Sequence, residues 1–401
     1  MISFKTKNGI ILILIVSFLY LLYFSWKTTT TTTTKTTTNS NSIIHNSQNT
    51  SRLTPERRHI LSFVLAHIRA SYSTNRTPEY STPPLLILYS CKPNQQCGTL
   101  AERMMDITTA YYFAMLNPKT DTAFAYDMTF PAQFEWFLEP TPGHMAMRTN
   151  QAQFYLDRAE LDEFKSIPHV ATTPQSNQRI LATTSWAAKE WNQTTSDRVG
   201  RYGLKHLRWQ SDWFFVASRL LFSRPSDWLT EQLGPYSRLM GTVRLGEGMN
   251  REDPDNLVSP PPSNSAWFRV GVRVTREEQV EALASHVLQM CGKCHVFVSS
   301  VSATLLDRMR QRLANVAVHA VAEGYEFDDL DVPPKSWKLF ESNEQLKRQY
   351  ARIFMDWIIL TRMDHLVGIE GDLFIKTAAW TAQVQTDVLK SNGKMVSLVD
   401  W

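Results

Sequence analysis

The sequence has no block of lysine and arginine. Its 42 basic residues are scattered among 38 acidic ones, a net charge of +4 over 401 residues. That leaves no electrostatic footprint for a nucleic-acid partner. Also missing are Gly-x-x-x-x-Gly-Lys-Ser/Thr, Gly-x-Ser-x-Gly and His-Glu-x-x-His, which excludes a phosphate loop, a nucleophile elbow and a zincin helix. Cysteine is scarce: four residues in two close pairs, Cys91/Cys97 and Cys291/Cys294. In an oxidising compartment each pair can close a local disulfide, one per lobe. Cys291-Gly-Lys-Cys294 has no second CxxC and no thioredoxin-like surroundings, so a redox or zinc role is the weaker reading. His295 behind it reads as structural.

Charge is absent altogether from Gly9–Trp26, where Ile10–Val16, Phe18, Leu19, Leu21 and Leu22 run together. As a helix, this stretch spans about 27 Å, close to the hydrocarbon core of a bilayer. Lys5 and Lys7 precede it, and Tyr20, Tyr23, Trp26 and Lys27 close it, which predicts a cytosolic N-terminus. A cleaved signal peptide ends in small residues, whereas this exit is bulky and aromatic. We therefore expect a cytosolic tail at 1–8, a transmembrane anchor at 9–26 and, at 27–54, a Thr/Ser-rich stalk with almost nothing to bury. The stalk fits an O-glycan carrier and a bare spacer equally well. Asn49, Asn75 and Asn192 each head an Asn-x-Ser/Thr triplet, the N-glycosylation acceptor pattern of a lumenal chain.

The remaining residues, about 345, exceed one compact core, so two lobes are expected. In the N-terminal lobe, 55–247, Leu85–Tyr89 reads as a buried strand and Leu100–Leu116 as a helix. Thr122–Tyr126 and Arg179–Ser185 read as further strands, and Phe130–Pro142 as a surface-wound connection. Leu207–Leu239 predicts one or two helices broken at Arg224-Pro225. The Pro-rich segment 248–265 is the expected linker. In the C-terminal lobe, 266–401, strands Trp267–Val274, Val296–Ser299, Val316–Val321 and His365–Ile369 alternate with helices Glu277–Met290, Ala303–Leu313, Glu344–Thr361 and Leu373–Val384. The fold class is α/β, with a parallel sheet covered by helices on both faces. Such sheets bind ligands at the carboxyl ends of their strands, which directs attention to Thr275–Arg276, Ser299–Ser302 and Glu370–Asp372.

At those ends the available chemistry is cationic side chains and helix N-termini, which suit a diphosphate. Arg269 and Arg273 share a strand face, and Arg276 follows. These arginines are either phosphate ligands or solvated partners of Glu277 and Glu278. Asp253-Pro-Asp255 and Asp329-Leu-Asp331 match the Asp-x-Asp of metal-dependent nucleotide-sugar sites, but neither closes a strand, so both read as solvated loop acids and no metal is expected.

Three blocks then resemble one family. Cys97-Gly-Thr-Leu-Ala-Glu-Arg-Met-Met-Asp-Ile107 is similar to the Gly-x-x-x-x-Arg opening helix of the fucosyltransferase superfamily, which includes α1,6-, protein O- and nodulation fucosyltransferases. Val270-Gly-Val-Arg-Val-Thr275 resembles its Gly-Val-His-Ile-Arg strand. Met355-Asp-Trp-Ile-Ile-Leu360 through Asp364-His-Leu-Val367 and Asp372-Leu-Phe-Ile-Lys-Thr-Ala-Ala379 resembles its third segment, which ends in Ser-x-Phe-x-x-Thr-Ala. The resemblance implies a GT-B architecture of two Rossmann-like lobes facing a cleft, and transfer of fucose from GDP-fucose to a glycan or glycoprotein acceptor. It implies inversion and no metal or other cofactor, and with the anchor it implies a Golgi, type II location. By the same resemblance Arg273 is the catalytic, phosphate-holding residue. Gly98, Arg103, Thr275, Arg276, Asp372, Phe374, Lys376 and Thr377 would bind the donor. Glu102 and Asp106, on the opening helix near the cleft, are either a general base for the acceptor hydroxyl or ordinary exposed helix charges. Several positions depart from the family. Arg273 and Thr275 stand where His and Arg are usual, so Arg276 competes with Arg273 for the phosphate. No acid adjoins Ser299-Ser300. Asp372 replaces a serine, to face the nucleotide or merely cap its helix. Two other functions therefore stay open: a catalytically silent lumenal protein that binds glycans or partners, and a transferase using another nucleotide sugar.

Overall fold

The structure is a computed structural model, and it describes residues 54–73, 85–91, 97–116, 122–127, 132–141, 146–147, 162–164, 178–180, 199–200, 202–240, 268–300, 302–321 and 342–398. The expected anchor, the stalk up to residue 53, the linker 248–265, both Asp-x-Asp motifs and the three glycosylation triplets lie outside the described residues. Every element below belongs to the compact unit Ser47–Trp401. Among the described residues no helix is long and apolar enough to cross a membrane.

The N-terminal half begins with helix α1 (Pro55–Ser73), strand β1 (Leu85–Ser90), helix α2 (Leu100–Met115) and strand β2 (Thr122–Asp127). Strands β3 (Leu138–Glu139), β4 (Ala146–Met147), β5 (Asp162–Phe164) and β6 (Gln178–Ile180) follow, then helix α3 (Gln210–Leu221), strand β7 (Arg224–Pro225) and helix α4 (Asp227–Leu233). β1 is apolar from Leu85 through Tyr89, as a strand covered on both faces requires. It sits at the centre of a parallel sheet ordered β4-β2-β1-β6-β5. β3 and β7 form a separate antiparallel pair.

The C-terminal half runs β8 (Arg269–Val274), α5 (Val280–Met290), β9 (His295–Ser300), α6 (Ala303–Arg312), β10 (Ala317–His319), α7 (Asn343–Leu360), β11 (His365–Ile369), α8 (Leu373–Ala382), β12 (Gln385–Leu389) and β13 (Met395–Leu398). Its sheet is ordered β10-β9-β8-β11-β12-β13, parallel except for the hairpin strand β13. Counted from β8, this is the 3-2-1-4-5-6 order of a doubly wound dinucleotide-binding sheet. The expected alternation of strands and helices is therefore present, and β12 and β13 extend it beyond what the pattern indicated.

The two sheets share a core. One apolar cluster runs from Leu61 and Ile68 of α1, through Ile107 of α2 and Phe214 of α3, to Trp357 of α7 and Trp380 of α8. The other lies on the far face of the C-terminal sheet, where Val270, Val272 and Val274 meet α5 and α6. The expected surface winding of Phe130–Pro142 is corrected. Phe134, Phe137 and Leu138 are completely or almost completely buried, with Phe137 stacked on Phe354 of α7 at 4.1 Å between ring centroids. Proline and tryptophan suggested a loop, but these rings join the two halves, and burying them is among the larger apolar gains a side chain can make.

Candidate functional site

In the C-terminal sheet the chain winds one way from β8 to β9 and the other way from β8 to β11. The crevice outside the carboxyl ends of β8 and β11 is thus the topological switch point. Arg273 stands at the end of β8, 7% exposed, and its surroundings are specific. Nη1 donates to Ser299 Oγ of β9 at 2.8 Å, and Ser299 Oγ donates onward to Asp356 Oδ2 of α7 at 2.8 Å. The guanidinium carbon lies 4.1 Å from the centre of the Phe374 ring, within cation–π range. Arg273 Nε is 3.4 Å from Asp372 Oδ2. One turn before Asp356 on α7, Arg352 donates from Nη2 to the Ser300 carbonyl at 2.7 Å.

Three sequence-derived candidates, Arg273, Asp372 and Phe374, are therefore brought together. The base of the site was missed. Asp356 and Arg352 sit on an amphipathic helix where charged residues normally mark the solvated side, yet both are buried. Their one signal is spacing: four apart, they fall on one face of a helix that is otherwise apolar there. The sequence has no acid beside Ser299-Ser300, but α7 brings a carboxylate to Ser299 from 57 residues away.

Asp372 caps α8, with Oδ1 accepting from Phe374 N at 2.9 Å and from Ile375 N at 3.4 Å. The capping expectation is met, and the other oxygen of the same side chain lies beside Arg273. Thr275 and Arg276 are drawn instead to Gln279, whose Oε1 accepts from Thr275 N and Oγ1 at 3.3 Å and from Arg276 N at 2.9 Å. The Arg276 side chain is exposed, with Nη1 3.9 Å from Glu278. Arg269 is bound to Asp364, from Nε at 2.9 Å and Nη2 at 2.6 Å. Of the arginines on and just after β8, Arg273 is the one in the crevice. On α8, Lys376 Nζ lies 5.0 Å from the Trp380 ring, and burial lowers its pKa. Thr377 is in the core, donating to the Phe374 carbonyl and accepting from Trp357 Nε1 at 3.2 Å.

The N-terminal half repeats the arrangement at β1, the centre of its own sheet. The Cys91–Cys97 disulfide ties the end of β1 to the entry of α2. Gly98 follows at φ +80°, a conformation that glycine alone adopts without strain. Thr99 and Glu102 then form a capping box in which Glu102 Oε2 accepts from Thr99 N at 2.7 Å. Arg103 is buried and donates from Nε to the Gly98 carbonyl at 2.8 Å. Asp106 is 8% exposed. Gly98, Glu102 and Arg103 thus build the turn itself.

Cys291–Cys294 is also a disulfide. It is buried and follows the C-terminus of α5, the end of a helix dipole that disfavours a thiolate. His295 is not solitary: its Nδ1 lies 3.0 Å from Nε2 of His319. Among the described residues no group of three His, Cys, Asp or Glu could hold a metal ion.

Fold and site thus define a doubly wound α/β protein with an arginine and a helix N-terminus at its switch point. Among solved structures, the chain is similar to fucosyltransferase NodZ from Bradyrhizobium, at 11% identity and a TM-score of 0.48 over 79% of this chain and 99% of that one. It is also similar to a mutant of Arabidopsis thaliana FUT1 in complex with GDP, at 10% identity and a TM-score of 0.47 over 82% and 74%. A third is POFUT1 in complex with GDP, at 10% identity and a TM-score of 0.40 over 75% and 95%. No family model and no curated protein sequence matches the chain.

Proposed function

We propose that this protein is a glycosyltransferase of the GT-B type that transfers fucose from GDP-fucose to a glycan or glycoprotein acceptor, with inversion and without a metal. We further propose that it works in the Golgi lumen, held as a type II protein by residues 9–26. The observation that carries the reading is Arg273, buried at the switch point beside the N-terminus of α8. In transfer, the acceptor oxygen attacks the anomeric carbon from the face opposite the diphosphate. The carbon–oxygen bond to the β-phosphate breaks, and its electron pair leaves with GDP. A fixed guanidinium stabilises that growing charge, and a helix N-terminus adds to it. The acceptor proton goes to a carboxylate of α2, where Glu102 is exposed and held by one capping bond and Asp106 is buried.

A second reading, a silent glycan- or partner-binding protein on the same fold, is favoured by one observation: a carboxylate already faces Arg273. Titration of GDP into the full-length chain separates the two. Binding is expected, weakened tenfold or more by Arg273→Ala and unchanged by Arg276→Ala. Absence of binding at about 1 mM GDP, an affinity of only about −4 kcal/mol, overturns the enzyme reading. Loss in Arg276→Ala alone would move the phosphate to that residue. Hydrolysis of GDP-fucose against GDP-mannose then tests the sugar.

A further inference from the structure

We propose that Asp372 is an internal counter-anion that sets the affinity of the site for a diphosphate: its carboxylate stands on Arg273 where a phosphate would, and the donor enters by exchange with it. The inference rests on the nucleotide-sugar reading of this site.

The two oxygens of Asp372 have different partners. Oδ1 is occupied by the cap of α8. Oδ2 faces Arg273 Nε at 3.4 Å, and both of these atoms are buried without a hydrogen bond. The contact therefore neutralises charge while leaving a strong donor and a strong acceptor unsatisfied, a costly arrangement for desolvated groups. A phosphate oxygen in place of Oδ2 would make the charge-assisted bond that Nε now lacks.

Geometry also decides which partner moves. The Arg273 guanidinium is held by Ser299, itself bonded to Asp356, and lies over Phe374. It is fixed from two sides. Asp372 follows Gly371, where the chain turns at φ +86° and a Cβ would meet nothing within 4 Å. The Asp372 side chain is also the more exposed of the two, 15% against 9%. The charges point the same way: Asp372 faces the guanidinium directly and Asp356 through Ser299, so an entering diphosphate adds negative charge to a cation already balanced. Removing one of those carboxylates strengthens anion binding by a Coulombic term that is large at short range and low dielectric.

The test is Asp372→Asn, because asparagine caps a helix as well as aspartate and keeps the fold while removing the charge. Pyrophosphate and GDP are titrated separately into the full-length wild type, into Asp372→Asn and into Asp372→Asn/Arg273→Gln, with circular dichroism confirming folding. Pyrophosphate is expected to bind Asp372→Asn about tenfold or more tighter than wild type, and the double variant is expected to lose that gain. Less than a twofold change in the folded single variant overturns the proposal. So does a gain that survives in the double variant, since it would then owe nothing to Arg273. A pyrophosphate gain with no added affinity for GDP supports the counter-anion and rejects the nucleotide-sugar reading, so the two fail separately.

Discussion

Asp364→Asn is the sharpest test of how the C-terminal sheet is held together. Asp364, just before β11, accepts three hydrogen bonds from Arg269 at the start of β8: from the backbone N at 3.0 Å, Nε at 2.9 Å and Nη2 at 2.6 Å. The carboxylate side chain is 4% exposed and the guanidinium 18%. Asparagine keeps the shape but removes the charge, and turns two N–H donors toward a group that also only donates. Breaking a buried pair costs about 3–5 kcal/mol because the surviving charge is left uncompensated. Arg269 retains some contact with water, which places the loss near the lower end, about 3 kcal/mol. The guanidinium of Arg362, whose pKa is lowered by burial and by the charge of Arg269, keeps the loss from falling below that, because Asp364→Asn leaves the two cations without this carboxylate. Urea unfolding of the full-length chain, followed by tryptophan fluorescence, measures the loss. Adding Arg269→Met should recover at least half of it, since no charge then remains stranded. A single-variant loss below about 1 kcal/mol, or a double variant as unstable as the sum of the two singles, would refute the reasoning.

The His295–His319 pair gives a pH signature. Burial, and then the neighbouring His295, lower the pKa of His319, so the native state favours its neutral form. His319 thus contributes stability that is fully present above the ordinary histidine range and is lost as pH falls through its lowered native value. Unfolding midpoints should drop between about pH 7 and pH 5, and the drop should be shallower in His319→Gln; an identical slope in both proteins would contradict this. Gly98→Ala should destabilise by about 2–3 kcal/mol, from left-handed strain and loss of the α2 cap. An added Cβ would lie 2.9 Å from the Cβ of Glu102. Thermal unfolding measures the effect, and a change under about 0.5 kcal/mol would mean the turn tolerates a side chain.

How much was legible in the sequence depended on whether a residue's role was local. The C-terminal sheet could be read because each strand and helix carries its own period, and helix α8 because Asp372 is a local cap. Strand β12, Gln-Thr-Asp-Val-Leu, was passed over: the buried carboxylate of Asp387 is matched by His286 and His365, partners that no local window contains. The aromatic run from Phe134 to Phe137 failed in the opposite direction, since its composition fits a loop and its burial comes from α7. At the site, Arg273 was found by strand position and resemblance, whereas Ser299 and Asp356 matter only through one another. A hydroxyl in a strand and an acid in a helix show no sign of their bond until the fold brings them together.

Helix α8 has a further consequence. At its first turn it presents Asp372 and Phe374 to Arg273. At its last, Gln383, in a left-handed cap, donates from Nε2 to the carbonyl of Ser211 at the start of α3, and Trp380 packs on Phe214 of the same helix. One ten-residue helix thus has its C-terminal end fastened to the amino-terminal half and its first turn against Arg273. A displacement of α3 would therefore be carried along α8 to the contact between Asp372 and Arg273.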